Sequence, residues 1–195
     1  MARYTGPKWK LARRENFDVF GSDKWRRRQS LPGVHPVSKS RASNYATQFR
    51  EKQKVKRVYG LLEKQFRNIF KKASKETGNT GLRLLQLLEM RLDNVVYKLG
   101  YAYSINQARQ LVGHGHIKVN GKKITLPSYT VKVSEAVELD EKTKSSDTTK
   151  ILLSEIRKTR QVPSWLESNK VKMVPTRDMI DQAIKEQLIV EFYSR

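Results

Sequence analysis

The sequence predicts an α+β protein with a mostly helical domain and a smaller domain that contains a helix-turn-helix and a small antiparallel sheet. Apolar residues recur at spacings of three and four over residues 47–76 and 84–112, which is typical of amphipathic helices. An Asn-Gly pair at 120–121 lies between alternating apolar residues and indicates a β-hairpin with a two-residue turn. Helices followed by a hairpin favour an α+β arrangement over alternating β-α units.

Charge indicates the class of partner. Forty Lys and Arg residues face nineteen Asp and Glu residues, a net charge of +21 with a pI near 10.2. Residues 1–80 hold 21 basic and 6 acidic side chains, so this part is predicted to face a polyanion such as RNA. Residues 136–195 hold 11 basic and 10 acidic side chains. Within them, residues 171–180 are predicted either to face another protein or to pack in a core.

Several function classes are excluded or disfavoured by composition. The chain has no cysteine, which excludes disulfides and thiolate metal sites. No run of 18 apolar residues occurs, and the N-terminus lacks the apolar stretch of a signal peptide, so no membrane partner is expected. There is no Gly-rich phosphate loop and no cluster of histidine with carboxylates. We therefore predict no enzymatic activity and no cofactor.

The first 45 residues have weak apolar periodicity and several basic clusters. A short helix is predicted over Lys8–Phe20, ending at Gly21. Two interpretations remain open: a disordered basic tail, or a segment that orders against RNA phosphates. Because little core is available there, we expect residues 1–45 to be disordered in the free protein. For Trp9 and Trp25 we favour local packing over stacking on bases.

Residues 47–76 are predicted to form one helix with an apolar stripe beneath a basic surface. Gly60 falls inside this helix, at a cost of roughly 1 kcal/mol relative to alanine. Few acids accompany the lysines and arginines, so we expect unpaired cations available to RNA. The predicted stripe comprises Val55, Val58, Tyr59, Leu62, Phe66, Ile69, Phe70 and Ala73.

A second helical stretch is predicted to end at Gly100, and a short helix to follow it. Ser104 with Gln107 forms a capping-box pattern at the start of that helix, which Gly113 closes. Residues 91–112 thus indicate helix, tight turn, helix. The predicted buried positions of the second stretch are Leu84, Leu85, Leu88, Leu92, Val95, Val96 and Leu99.

The segment HGHIKVNGKKI, residues 114–124, could be half of a metal site or the start of a hairpin that presents charge. A zinc site needs three or four ligands, and the chain has one other histidine, His35. No acidic residue lies between Asp93 and Glu135. We therefore predict no metal site here, with His114 and His116 either donating to phosphates or packing at the hairpin base.

A helix-turn-helix followed by a hairpin can serve either DNA or RNA. DNA recognition requires the second helix to read base edges in the major groove, which SINQARQLV is long enough to attempt. A-form RNA instead favours surfaces that grip phosphates and junction shape. The basic N-terminal segment favours a folded RNA, and a DNA-binding regulator stays the alternative.

Several long motifs resemble the small-subunit ribosomal protein four family of bacterial type. The resemblance runs the full length and is weakest over residues 16–46. The same small module resembles one appended to pseudouridine synthases and a tRNA synthetase, but no catalytic domain accompanies it here. The matching stretches are MARYTGP at the start, REKQKVKRVYGLLEKQFRN, LLQLLEMRLDNVVYKLG, ARQLVGHGHIKVNGKKI, PSWLE and the terminal EQLIVEFYSR.

The resemblance implies a two-domain fold and a ribosomal function. Residues 1–89 would form the helical domain, completed by a C-terminal helix over 178–195. Residues 90–150 would form the compact RNA-binding module, and 151–177 the rest of the sheet-containing domain. The family binds small-subunit rRNA at a multi-helix junction near its 5′ end, early in assembly. It later borders the channel through which mRNA enters, beside ribosomal protein five of the small subunit, in the cytoplasm.

The resemblance also assigns rRNA-binding residues. Arg57, Arg91 and Lys118 are expected to point at nucleic acid and to be free of carboxylate partners. Lys39 and Arg41 fall where some members line the mRNA path. The full expected rRNA-binding set is Arg3, Lys8, Arg13, Arg14, Lys52, Lys54, Arg57, Arg67, Arg91, Asn94, Arg109, His114, His116, Lys118, Asn120 and Lys122.

Two departures from the family pattern stand out. Many members carry zinc-binding cysteines near the N-terminus, and those places are held here by Trp9, Ala12 and Trp25. Zinc should then be absent, with buried Trp9 and Trp25 in its structural place. The family's PGQHG is PGVHP in this chain, which changes the loop near His35 and Pro36.

Overall fold

A computed structural model describes residues 4–28, 30–34 and 43–194. The chain divides into two compact units, one formed by Met1–Gly81 with Ala183–Arg195 and the other by Leu82–Gln182. The α+β class is confirmed, because the described residues hold many helices and a small antiparallel sheet. The boundaries expected from the sequence were 89/90 and 177/178. His35, Pro36, Arg3, Lys39 and Arg41 lie outside the described residues.

The elements are named in chain order. Two short 3-10 turns, Asp23–Arg27 and Arg177–Met179, lie between them. The helices and strands are α1 (Lys8–Glu15), α2 (Asn44–Val58), α3 (Glu63–Ala73), α4 (Thr80–Glu89), α5 (Leu92–Lys98), α6 (Ile105–Gly113), β1 (Ile117–Val119), β2 (Lys122–Lys123), β3 (Val137–Leu139), α7 (Glu141–Ser145), α8 (Asp147–Thr159), β4 (Leu166–Glu167), β5 (Lys170–Val171) and α9 (Glu186–Tyr193).

The N-terminal segment folds more tightly than the sequence suggested. Helix α1 ends at Glu15 rather than Phe20, because Asn16 adopts a left-handed conformation with φ of 48° that stops the helix. Ala12 and Val19 are buried, which corrects the expectation that little core is available there. Local packing of the tryptophans is confirmed for Trp9, which is half-buried and meets the Phe20 ring edge-to-face at 6.1 Å.

The single helix predicted over residues 47–76 is two helices, α2 and α3. The first helix ends just before Gly60, whose φ of +61° lies in the left-handed region. Gly60 N–H donates to Arg57 O and Leu61 N–H donates to Lys56 O, at 3.1 and 2.9 Å, which is the hydrogen-bond pattern of a glycine helix cap. Leu62, predicted to be in the apolar stripe, is therefore exposed at the start of α3.

Helix α9 closes the first unit by packing on α2. Ile189 is fully buried, and Gln48 donates to the Glu191 carboxylate at 2.8 Å. The Lys52 ammonium lies 4.5 Å from the Phe192 ring centre and 4.8 Å from that of Phe49. The return of the C-terminal helix to the N-terminal unit thus depends on both apolar burial and a buried cation.

In the second unit, the predicted helix over 84–100 is also interrupted. Helix α4 ends at Glu89 and α5 begins at Leu92, because the backbone at Arg91 is extended and forms an isolated bridge with Thr130. Each predicted buried position of this stretch is buried, from Leu84 to Leu99. Gly100 ends α5 as predicted, with φ of +79°.

The predicted hairpin is confirmed and belongs to a three-stranded antiparallel sheet. Strand order is β2-β1-β3, with Val119 paired to Lys122 across the turn. Asn120 and Gly121 have φ of 49° and 76°, the positive values that a type I′ turn requires. Ile117 and Val119 are buried as predicted, and Ile124 packs against the same core.

The core beneath this sheet joins α5 and α6 to residues from the near-neutral part of the chain. Trp165 is 1% exposed within it, and β4 contributes Leu166 while β5 contributes Val171. In residues 171–180, Ile180 is also buried, whereas Met173 is 39% exposed. Both alternatives for this segment, core and outward surface, are thus represented. No described helix combines the length and the apolarity needed to cross a bilayer.

Candidate nucleic-acid interface

The hairpin presents charge from a rigid support. Lys122 and Lys123 on β2 are both exposed. Asn120 fixes the turn beneath them, since its side-chain oxygen accepts from Ala136 N–H at 2.9 Å and its own N–H donates to Ala136 O at the same distance. Asn120 therefore holds the hairpin to the strand region of β3, while the two lysines project from it.

Lys118 is not a free cation. Its ammonium lies 2.8 Å from the Asp140 carboxylate, and both side chains are about 30% exposed. The hydrogen bond that Lys118 donates to Asp140 raises the pKa of Lys118, and the same bond lowers the pKa of Asp140. The expectation that Lys118 has no carboxylate partner is wrong, because β3 places Asp140 next to the hairpin.

Arg91 and Asn94 lie inside the second unit. Arg91 is 4% exposed and makes two parallel bonds to Asp93, Nε to Oδ1 at 3.0 Å and Nη2 to Oδ2 at 2.6 Å. Asn94 is 2% exposed and donates to the Glu89 carbonyl at 3.0 Å and carboxylate at 2.7 Å. The expectation that Arg91 is free of carboxylates is wrong, and both side chains stabilise the start of α5.

Arg109 and the histidines reach the surface of the same unit. Arg109 on α6 keeps 20% of its side chain exposed and contacts Asp93 at 3.4 Å. His114 is exposed, with its ring centre 6.2 Å from that of His116. His116 is half-buried, and its Nδ1 lies 2.8 Å from the Thr143 hydroxyl. His114 can thus meet an outside partner, whereas His116 joins the hairpin base to α7.

The described histidines and Trp25 lie where the sequence raised the question of a metal site. Over residues 4–28, 30–34 and 43–194, no three His, Asp or Glu side chains gather as metal ligands would. Trp25, at one of the places where the family resemblance leads us to expect cysteine, is half-buried, and its indole N–H is enclosed without a hydrogen-bond partner. It lines a cleft of about 530 Å³ with Arg13 and Arg28.

In the first unit, much of the basic surface of α2 is paired. Lys52 is 4% exposed and donates to Glu63 at 2.9 Å, and Lys56 donates to the same carboxylate at 3.0 Å. Lys54 pairs with Glu51 at 2.8 Å and donates to Ala183 O at 2.8 Å. The predicted unpaired basic face is therefore wrong for these positions, since Glu51 in the same helix and Glu63 at the start of α3 pair with them.

Arg57 is also paired, with Glu15 of α1. The Glu15 side chain is 1% exposed, bonds Arg57, and contacts Arg50 at 3.3 Å. Burial raises the pKa of Glu15, although Arg57 and Arg50 act in the opposite direction. Burial likewise lowers the pKa of Arg57. The expectation of a free Arg57 is wrong, and its role is to fix α1 to α2.

Other cations of this unit do face outward. Lys8 and Arg14 on α1 are exposed, and Arg14 donates to Pro32 O at 3.0 Å. Arg13 is half-buried and donates to Ser30 O at 3.1 Å. Helix α3 shows four exposed cations, none of them in a salt bridge with another described residue: Lys64, Arg67, Lys71 and Lys72.

Only Arg67 of these four was among the expected binding residues. The i, i+3 and i+4 spacing of Lys64, Arg67 and Lys71 gave a signal that all three share a face. What distinguishes α2 from this helix is that its cations meet carboxylates in the fold, namely Glu51 in α2, Glu63 in α3 and Glu15 in α1. Sequence spacing alone does not show that.

The chain is similar to known proteins over its whole length. Residues 3–89 match the family described as "Ribosomal protein S4/S9 N-terminal domain", and residues 90–137 match the "S4 domain". A protein described as "Small ribosomal subunit protein uS4A" from Clostridium acetobutylicum is 50% identical over 209 aligned residues, covering all of both chains. Proteins described as "Small ribosomal subunit protein uS4" from Geotalea daltonii and Thermoanaerobacter sp. are 48% and 47% identical, again with full coverage.

Proposed function

The chain belongs to the uS4 family of small-subunit ribosomal proteins, and from this premise we propose that it binds small-subunit rRNA at a multi-helix junction near the 5′ end, early in subunit assembly. Family membership makes the chain a ribosomal, rRNA-binding protein. The homologues are structural components of the ribosome, which confirms the prediction that this chain is not an enzyme.

The observation that carries the proposal is the acid-free stretch of residues 94–134, which forms α5 from its third residue onward, α6 and the hairpin. Its exposed side chains include Lys122, Lys123 and His114, and Arg109 is partly exposed. These groups carry hydrogen-bond donors and project from packed helices and strands. Such a surface suits phosphate oxygens, which supply most of the affinity in protein–RNA binding.

The first unit supplies a second set of cations. Helix α3 presents Lys64, Arg67, Lys71 and Lys72, and α1 presents Lys8 and Arg14. We propose that both sets contact rRNA. Two basic surfaces on one chain suit a junction, since RNA helices that radiate from a junction place phosphates on several sides.

The residues that pair within the protein support this surface without contacting rRNA themselves. We propose that Lys52, Lys54, Arg57, Arg91 and Asn94 shape the interface by fixing α1, α2 and α5, and that Lys118 exchanges its Asp140 bond for phosphate only at a cost. Arg13 and Asn120 hold neighbouring backbone, and His116 meets the Thr143 hydroxyl. Arg3 remains an expected rRNA contact outside the described residues, as do Lys39 and Arg41 for the mRNA path.

The remaining partners follow from the family resemblance. We propose that the chain lies beside ribosomal protein five of the small subunit, borders the channel through which mRNA enters, and works on the ribosome in the cytoplasm. The near-neutral last third of the chain, residues 136–195, favours a protein neighbour there. The partly exposed apolar Met173 and Val174 support this placement.

A footprint on RNA tests the proposal. The full chain is added to a transcript of the complete small-subunit rRNA, and hydroxyl-radical cleavage is mapped with and without excess duplex DNA at equal salt. Protection should cluster at one multi-helix junction near the 5′ end and survive the DNA competitor. Scattered protection would contradict the proposal. Protection that the duplex DNA competitor removes would contradict it as well and would favour a DNA-binding regulator.

A further inference from the structure

A cleft in the first unit is lined by the end of α1 and by the 3-10 turn at Asp23–Arg27. Its volume is about 530 Å³, within the range of about 300–1,000 Å³ that sites for small organic ligands occupy. A site of this size that combines arginines with aromatic rings fits a ligand with a flat ring and a negative charge. The side chains that matter here are Arg13, Phe17, Asp18, Trp25, Arg26 and Arg28.

The side chains that line the cleft carry a net positive charge. Three of them are guanidinium groups, and Asp18 is the one carboxylate among them. Asp18 Oδ1 accepts from Phe20 N–H at 3.0 Å and from Ser22 N–H at 3.1 Å, so this carboxylate holds the local turn. The excess of two positive charges on the walls favours an anionic ligand.

Arg28 is the arginine of the cleft that can meet such a ligand. It is exposed and makes no salt bridge with a described residue. Arg13, by contrast, is half-buried and donates to Ser30 O at 3.1 Å. The Arg26 guanidinium carbon lies 5.5 Å from the Trp25 ring centre. Arg13 and Arg26 therefore support the walls, while Arg28 can turn its planar fork of N–H donors toward a phosphate.

Trp25 supplies an aromatic wall and an unpaired donor. Its indole N–H is enclosed and has no hydrogen-bond partner in the part of the chain that the structure describes. Folded proteins leave few buried donors in this state. An acceptor atom of a ligand that enters beside the ring would pair it. Aromatic rings and guanidinium planes are also the groups on which unstacked nucleobases stack.

We propose that this cleft binds one unpaired nucleotide of rRNA, with its base against Trp25 and its phosphate at Arg28. This inference rests on the proposed rRNA binding of the chain. A base within an A-form duplex is stacked and shows only its edges, so it cannot enter a cleft, whereas a base of a loop or bulge can be splayed out. The cleft therefore distinguishes an unpaired nucleotide from the duplexes around it.

Two neighbouring arginines separate this site from a general attraction of charge. Arg27 and Arg28 are adjacent and both exposed, and of the two only Arg28 lines the cleft. Arg27→Ala and Arg28→Ala remove the same charge, so attraction to a polyanion alone would weaken RNA binding equally. A nucleotide in the cleft makes the loss at Arg28 the larger one.

A titration of five proteins measures this difference. Wild type, Arg27→Ala, Arg28→Ala, Trp25→Leu and Trp25→Phe are each titrated against a full-length small-subunit rRNA transcript over a series of salt concentrations. Arg27→Ala is the matched control for charge. Trp25→Phe is the conservative control, because it keeps an aromatic ring. Circular dichroism of each free protein shows whether the fold is retained.

Arg28→Ala should weaken binding about tenfold, the size of one charge-assisted hydrogen bond, and should lower the salt slope by about 0.7. Arg27→Ala should weaken binding by no more than about threefold, because an exposed charge outside the cleft is screened. Trp25→Leu should also cost about tenfold, the size of one stacked base, with an unchanged salt slope. Trp25→Phe should lose less than Trp25→Leu. Equal effects of the two arginine variants would overturn the proposal, as would a Trp25→Leu protein that binds as tightly as wild type.

A measurement on wild type alone keeps the proposal testable if the Trp25 variants fail to fold. The complex of the full chain with the transcript is irradiated with ultraviolet light, and crosslinks are mapped by mass spectrometry and by reverse transcription. Trp25 or Phe17 should crosslink to one unpaired nucleotide. Crosslinks of these rings to paired segments only, or none at all in a complex that forms, would overturn the proposal. If wild type does not bind the transcript, the proposed rRNA binding fails first; if it binds and the two arginine variants are equal, only the cleft fails.

Discussion

Arg160 joins three main-chain carbonyls at the turn between α5 and α6. Its Nη1 donates to Tyr97 O at 3.0 Å and to Ala102 O at 3.1 Å, and its Nη2 donates to Tyr103 O at 3.2 Å. The guanidinium carbon lies 4.0 Å from the Tyr97 ring centre. The turn that orients the helix-turn-helix is therefore stabilised by a side chain about 60 residues further along the chain.

Arg160→Lys should destabilise the second unit by about 1–3 kcal/mol, because an ammonium on a single stem cannot satisfy three carbonyls and stack on a ring. Urea unfolding followed by fluorescence of buried Trp165 measures the change. Lys158→Arg, an exposed conservative exchange in the neighbouring α8, should change the free energy of unfolding by no more than about 0.5 kcal/mol. Equal midpoints for both variants would contradict this role of Arg160.

Glu63 collects three donors in the first unit. Lys52 and Tyr193 donate to Oε1, each at 2.9 Å, and Lys56 donates to Oε2 at 3.0 Å. Partial burial raises the pKa of Glu63, but the bonds from Lys52, Lys56 and Tyr193 outweigh it and lower the pKa from 4.5 to about 2. The carboxylate therefore links α3 to both α2 and α9 while it is ionised.

The stabilisation by Glu63 should depend on pH. Because its pKa is lower when folded than when unfolded, the stabilisation is complete above about pH 4.5 and is lost as pH falls toward 2. The Glu63 side chain is 47% exposed, so solvent screens its interactions. At pH 7 the free energy of unfolding of wild type should therefore exceed that of Glu63→Gln by about 1 kcal/mol. Urea titrations followed by circular dichroism should show this difference shrinking below pH 4.5. A difference that persists to pH 2.5 would refute it.

At the scale of elements, two glycine-terminated helices show which boundaries the sequence could predict. Gly100 and Gly60 end α5 and α2 with the same pair of backbone hydrogen bonds and with φ of +79° and +61°. Gly100 was recognised, because an apolar run stops there and a capping serine follows. Gly60 was not, because apolar residues continue at helical spacing past it into α3.

The effect of Gly60→Ala on stability should have opposite signs for a continuous helix over residues 47–76 and for a helix that ends at Gly60. Inside a helix, alanine would stabilise by roughly 1 kcal/mol, whereas at a left-handed φ it should destabilise by about 1–2 kcal/mol. Gly113→Ala is the matched control, because Gly113 lies in α6 with open space where a Cβ would go, and it should stabilise by about 0.5–1 kcal/mol. Thermal unfolding measures both. A more stable Gly60→Ala protein would contradict the observed break.

The hairpin could be predicted from residues adjacent in sequence, whereas the ion pairs could not. Asn120-Gly121 determines the turn, the register and the buried face of β1, all within a few residues. By contrast, Arg57 meets Glu15, 42 positions away, and Lys118 meets Asp140 across the sheet. Which cations remain free thus depends on tertiary contacts, so the expected RNA-binding residues were predicted by type and region rather than one by one.

At the scale of the whole molecule, the cationic side chains fall into two classes. Cations such as Lys52, Arg57 and Arg91 neutralise internal carboxylates and stabilise the units. Others, on the hairpin and on α3, stay exposed without a salt bridge to any described residue. We propose that the second class supplies the phosphate contacts. Net charge counts both classes together, so it cannot distinguish them.

The salt dependence of rRNA binding tests this claim most directly. Wild type, Lys122→Ala/Lys123→Ala and Lys150→Ala/Lys170→Ala are titrated against the same small-subunit rRNA transcript, so that both variants lose two exposed positive charges. The hairpin variant should lower the slope of log K against log salt by about 1.4–1.8, the value for two lost phosphate contacts, while the variant in the near-neutral region should leave it close to wild type. Equal slopes for the two variants, or a flat response of the wild type, would contradict the account.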